Sequence, residues 1–243
     1  MRSWRGWAWW AVALPLLPVL LPLALQTRRS ALRLAPAAGP THGLAGVAFP
    51  AAPLRLLLLG ESTVAGVGVS CLDFALVGQL ASALAERLGR PVSWRALGEN
   101  GITAEQACRH WLPLAQEPPA DLVVLVFGVN DTTQCSSSRT WHNALERLIN
   151  HFRAQGAQVV CTAVPPLQHF SALPWLLRQL LGWRASLLDN QLCLLAQRLG
   201  AAYCPAAVTM RKDYLAIDGY HPSVLGYRVW GEALALWLSE EPN

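Results

Sequence analysis

Residues 54–62 read LRLLLLGES. The apolar run is too short for a helix. Its hydrophobic residues are consecutive rather than alternating, as in a strand buried on both faces. Gly60 closes the run, and the polar pair Glu61-Ser62 follows at once. The same grammar repeats on the C-terminal side. Residues 73–88 put Leu76, Leu80, Leu84 and Leu88 on one helical face and stop at Gly89. Residues 92–97 form a second strand. Residues 103–114 form a helix that starts Thr103-Ala104-Glu105-Gln106, a capping-box pattern. Residues 121–127 (DLVVLVF) are the clearest central strand. A helix over 140–155, a strand over 157–163 closed by Pro165-Pro166, a helix over 185–199, a short strand over 201–204 and a last helix over 223–238 complete the order. Strands and helices alternate about five times, which predicts a three-layer α/β domain with a mostly parallel, five-stranded sheet. Ligands of such sheets lie at the carboxyl ends of the strands.

The rest of the chain carries the charge. Its 243 residues hold 19 Lys+Arg and 15 Asp+Glu, a formal +4, with 53% hydrophobic and 14% charged residues. That hydrophobicity excludes a disordered chain, and the scarcity of basic residues excludes a nucleic-acid stripe. Arg2, Arg5, Arg28, Arg29 and Arg33 precede the first acid, Glu61. Without those five, 14 basic face 15 acidic residues, so the remainder is nearly neutral.

Residues 7–25 are uncharged and long enough to reach across a bilayer core, with Trp4, Trp7, Trp9 and Trp10 at one end. Leu25-Gln26-Thr27-Arg28-Arg29 offers no small-x-small cleavage site, which favours a single-pass membrane anchor over a cleaved signal peptide. The flanking arginines lean slightly towards a domain on the cytoplasmic side. The expected layout is an anchor over 1–33, a Pro/Gly/Ala-rich linker over 34–53 and a single domain over 54–243.

Four clusters follow the strands. Gly60-Glu61-Ser62-Thr63-Val64-Ala65-Gly66 lacks a P-loop lysine and the dinucleotide glycine spacing, which leaves a serine hydroxyl on a sharp turn. Gly98-Glu99-Asn100-Gly101-Ile102 offers a backbone N–H at Gly101, and Gly128-Val129-Asn130-Asp131 offers an amide at Asn130; both donors suit a developing oxyanion. Asp218-Gly219-Tyr220-His221 places a carboxylate three residues before a histidine, where it can orient the imidazole as a base. The six cysteines form no C-x-x-C pair, and His110, His142, His151 and His169 lack ligand spacing, so neither a metal nor another cofactor is expected.

Together LLLLGESTVAGVG, ENGIT, FGVND and DGYHPSVLGY resemble the SGNH (GDSL-type) hydrolases over residues 54–230. The resemblance implies a flavodoxin-like α/β/α fold and metal-free hydrolysis of esters or thioesters. It implies Ser62 as nucleophile, His221 as base and Asp218 as its orienting acid. Ser62, Gly101 and Asn130 correspond to the oxyanion donors. The family usually carries Asp before the serine, where this chain has Glu61.

Residues 165–184 (PPLQHFSALPWLLRQLLGWR) are apolar almost all round. They are either packing or a lip that grips an acyl chain or meets a bilayer. The expected activity is that of a membrane-associated carboxylesterase of lysophospholipase type. Deacetylation of an O-acetylated glycan and a tethered, non-catalytic binding domain are the alternatives. The oligomeric state is left open.

Overall fold

The computed structural model describes residues 4–113, 119–206, 208 and 211–240. Its elements are α1 (Trp4–Ser30), β1 (His42–Ala45), β2 (Leu54–Gly60), α2 (Leu76–Leu88), β3 (Val92–Gly98), α3 (Ala104–Trp111), β4 (Leu122–Val126), α4 (Val129–Thr133), α5 (Ser138–Ala154), β5 (Gln158–Thr162), α6 (Trp175–Leu199), β6 (Ala202–Cys204) and α7 (Val224–Glu240). One six-stranded sheet runs β1-β3-β2-β4-β5-β6. Among the described residues of this sheet, only β1 pairs antiparallel, and the other strand pairings are parallel. The chain goes from β2 outward to β3 and then returns past β2 to β4. That reversal opens a crevice at the carboxyl ends of β2 and β4.

The unbroken leucine run of β2 follows from its place between two cores. Leu56 and Leu58, with Val124 and Val126 of β4, face Leu76, Leu80 and Leu84 of α2 and Tyr227 of α7. Leu57 and Leu59, with Val123 and Leu125, face Trp141, Leu148 and Phe152 of α5 and Leu188 and Leu192 of α6. Side chains alternate across a strand, so a strand covered on both faces must be apolar at every position. Each buried leucine contributes about 1.5–3 kcal/mol. Thr103 forms the expected capping box with Gln106 at the start of α3. Leu114, the expected end of that helix, lies outside the described residues, as do residues 1–3 of the expected anchor.

Two stretches differ from the sequence reading. The segment 34–53, read as a linker, supplies the sixth strand: His42–Ala45 pairs with Val92–Arg95 of β3. Upstream, the Ala37 N–H donates to Ala65 O (3.0 Å) and the Ala38 N–H to Ser70 O (3.0 Å). Gly43 leaves β1 without an apolar alternation, so nothing in composition announces it; the open edge of β3 supplies the partner. The second stretch is α6, which begins at Trp175 rather than near 185 and absorbs half of the apolar segment. Its first turns pack against α1. Leu16, Leu20 and Leu23 meet Leu176, Leu177, Leu180 and Trp183, and the Trp9 indole N–H donates to Leu180 O (2.8 Å).

Candidate active site

The site begins where β2 stops. A Cβ on Gly60 would stand 2.3 Å from Val126 O, so only glycine lets β4 lie this close. The Glu61 N–H then donates to Val126 O (3.2 Å). The chain turns at once: the Val64 and Ala65 N–H groups donate to Glu61 O, and the Val67 N–H to Ser62 O. Ser62 is held in that turn with 7% of its surface exposed.

The loops after β3 and β4 are laced together beside it. The Asn130 side-chain amide donates to Ile102 O (3.0 Å), and the Gln134 amide donates to Gly101 O (2.7 Å). Among the described residues, the backbone N–H groups of Ser62 and Gly101 have no protein acceptor. Asn130 keeps its second amide hydrogen, because an amide nitrogen carries two. Three donors are therefore unspent on this side of the site.

Glu61 organises the same loops from below. Its side chain accepts the Gly128 N–H at 2.6 Å and the Asn130 N–H at 3.1–3.2 Å. It is 3% exposed. Burial pushes its pKa up to about 8; the nearby Asp131 adds to that, while the backbone donors pull the other way. Asp131 is fully buried and accepts the Ala104 N–H (2.9 Å) at the start of α3, an end of the helix dipole that favours an acid. Burial raises its pKa, and Arg184 opposes the rise.

Across the cleft, the loop before α7 presents the histidine. The His221 Nδ1–H donates to Asp218 Oδ2 at 2.6 Å. Asp218 Oδ1 accepts the Tyr220 and His221 N–H groups at 3.0 Å each. Those donors orient the carboxylate without a cation. The loop is closed by the Ala216 N–H to His221 O (2.7 Å) and by Ser223, whose N–H donates to Tyr214 O and whose hydroxyl accepts the Gly226 N–H. Tyr220 stands edge-on to both Phe170 (5.0 Å) and His221 (5.2 Å).

Ser62 and His221 line one cavity of about 110 Å³. Its other walls are largely apolar, including Phe127, Val129, Pro166, Phe170, Leu215 and Trp230. No direct hydrogen bond joins the Ser62 hydroxyl to the His221 ring. Gly101, Asn130 and Asp218 stand outside the cavity wall; Asp218 is tied to it through His221 and Asn130 through Glu61, while Gly101 is held by Gln134.

The pattern of the GDSL-like lipase/acylhydrolase family matches residues 58–229. This chain belongs to that family. A GDSL-like esterase of Mycobacterium tuberculosis is 25% identical over 195 residues; the match covers 77% of this chain and 62% of the relative's length. Solved GDSL-type folds lie alongside. A lipase/acylhydrolase from Enterococcus faecalis superposes with a TM-score of 0.62 at 20% identity, covering 78% of this chain and 98% of that one. A carbohydrate acetylesterase from Sinorhizobium meliloti gives 0.60 at 20% identity, covering 76% and 98%. At those identities the likeness is one of fold.

Two side chains of this member of the GDSL-like family have parts that the motifs alone do not reveal. Glu61 was visible only as a departure from the usual aspartate, while its hold on the loop after β4 depends on a pairing between β2 and β4. Arg184 lay inside an apolar run. It is buried, donates to Ser136 O at 2.5 Å, and sits 4.8 Å from the Trp9 ring.

Proposed function

We propose that the chain hydrolyses carboxylic esters with an apolar acyl group through Ser62, His221 and Asp218. The His221–Asp218 hydrogen bond, on a histidine that shares an apolar cavity with Ser62, carries this reading. Asp218 fixes the imidazole tautomer so that Nε2 is the free base. As substrate closes the gap, Nε2 takes the Ser62 proton while Oγ attacks the carbonyl carbon. The oxyanion meets the N–H groups of Ser62 and Gly101 and the remaining amide hydrogen of Asn130. The protonated His221 then gives its proton to the leaving alcohol. Water, deprotonated by His221, attacks the acyl-serine; the acid leaves and Ser62 recovers its proton.

The apolar walls favour an alkyl acyl chain longer than acetate. The long apolar α1 supports attachment to a membrane, and the free cysteines together with Arg28, Arg29 and Arg33 support a cytoplasmic face. A panel of p-nitrophenyl esters from acetate to octanoate tests the reading. Rates rising with chain length and abolished in Ser62→Ala, with unchanged circular dichroism, are expected. A strict acetate preference would move the substrate to an O-acetyl group, and full activity in Ser62→Ala would remove the serine mechanism.

A further inference from the structure

From Trp7 to Leu25 helix α1 is apolar on every side, yet among its described residues the buried ones form one stripe. Trp9, Ala13, Leu16, Leu20 and Leu23 recur every three or four residues and form that stripe. It lies on the first turns of α6. Leu23 lies fourteen positions beyond Trp9, about 21 Å along the helix. The opposite sides present Leu14, Leu17, Val19 and Leu21 outward. A bilayer core is about 30 Å thick. A helix clasped along this length cannot enter lipid alone unless it first peels away from α6.

The clasped turns are suited to go with it. Trp175 is 65% exposed at the head of α6, and Trp183 follows two turns on. Indoles of this kind favour the lipid–water interface. These turns carry two charges. Arg184 is buried beneath Trp9 and Trp10, with its guanidinium carbon 4.8 and 5.8 Å from their rings. Arg178 has a stem long enough to carry its head to the headgroup layer.

A separate observation fixes the distance. Only six residues lie between Ser30, the end of α1, and Ala37, which is hydrogen-bonded to Ala65. That leash spans at most about 24 Å, and Ala65 is three residues beyond Ser62. On the other side of the cleft, the Ala172 N–H donates to Gly219 O (3.1 Å), which joins the approach to α6 directly to the Asp218–His221 loop.

We infer that the partner of this face is a phospholipid bilayer, which receives α1 and the first turns of α6 as one unit and holds the site at its surface. The inference rests on the membrane reading above and replaces a free-standing tether with a seated enzyme. Full-length protein, with photoreactive p-benzoylphenylalanine in place of Val19, Trp175 or Leu194, is reconstituted in phosphatidylethanolamine/phosphatidylglycerol vesicles and irradiated. Leu194 is the control: it is 67% exposed but lies farther along α6. Phospholipid adducts are expected at positions 19 and 175 and none at 194. Adducts at 19 alone would overturn the inference, since α1 would then be in lipid without α6. Adducts at all three would overturn it by erasing the boundary on α6. No adduct at 19 or 175 would overturn the membrane reading itself. Hydrolysis of a soluble short ester by the same samples reports separately on the hydrolase.

Discussion

The Glu61 carboxyl accepts the Gly128 N–H at 2.6 Å and so clamps the end of β2 to the loop after β4. Its folded pKa of about 8 stands above the ordinary value of 4.5. Below 4.5 both states hold the proton. Between 4.5 and 8 the unfolded chain releases it while the folded chain keeps it, so stability falls as pH rises through this window. Each unit of separation is worth about 1.4 kcal/mol, so the loss amounts to a few kcal/mol. Glu61→Gln keeps an acceptor for Gly128 and has no proton to lose. Its Tm, followed by calorimetry from pH 5 to 8, should fall less steeply than that of the wild type. Parallel slopes would show that Glu61 does not titrate in this range.

Asp218→Asn leaves a side chain of the same shape but sets the wrong imidazole tautomer. In the serine-protease triad this change costs about 10⁴ in kcat. A loss of about 10³–10⁴ in kcat with little change in KM is expected here, measured on a short p-nitrophenyl ester. A loss confined to KM would place Asp218 in binding instead.

Asn130→Ala removes one of the three unspent donors. The expected loss is about 10²–10³ in kcat. The variant also loses the hydrogen bond to Ile102 O, so circular dichroism and Tm are needed beside the kinetics. A fall in Tm with kcat intact would make Asn130 a brace for the loop rather than an oxyanion donor.

Gly128 has φ +128°, and a Cβ there would stand 2.5 Å from Val164 Cγ2. Gly128→Ala therefore combines backbone strain of about 1–3 kcal/mol with overpacking of similar size. At about 2–4 °C per kcal/mol for a chain of this length, Tm should drop by at least several degrees. An unchanged Tm would mean that the loop relaxes freely, and Glu61 would then not be holding it.

The sequence and the structure agree wherever one physical constraint acts locally. A strand flanked by two cores must be apolar throughout, so β2 and β4 were legible from their runs of leucine and valine. Thr103 and Gln106 announced a cap because both partners lie within one turn. Ser62 and His221, which line one cavity, were legible because each lies in a short motif after a strand or before a helix; Gly101 and Asn130 carry the same signal but stand outside the cavity wall. What escaped depended on neighbours remote in sequence. β1 exists because β3 has an open edge. The early start of α6 depends on α1 covering Leu177 and Leu180, 150 residues and more away in the chain. Glu61 reads as a small departure in a motif until the loop after β4 is placed against it.

The six-residue passage from Ser30 to Ala37 has a kinetic meaning. With α1 seated in lipid, a leash this short removes one dimension from the search for substrate. Encounters would then be governed by the mole fraction of ester in the surface and by lateral diffusion, and diluting the vesicles in more water would leave turnover of a lipid-borne ester unchanged.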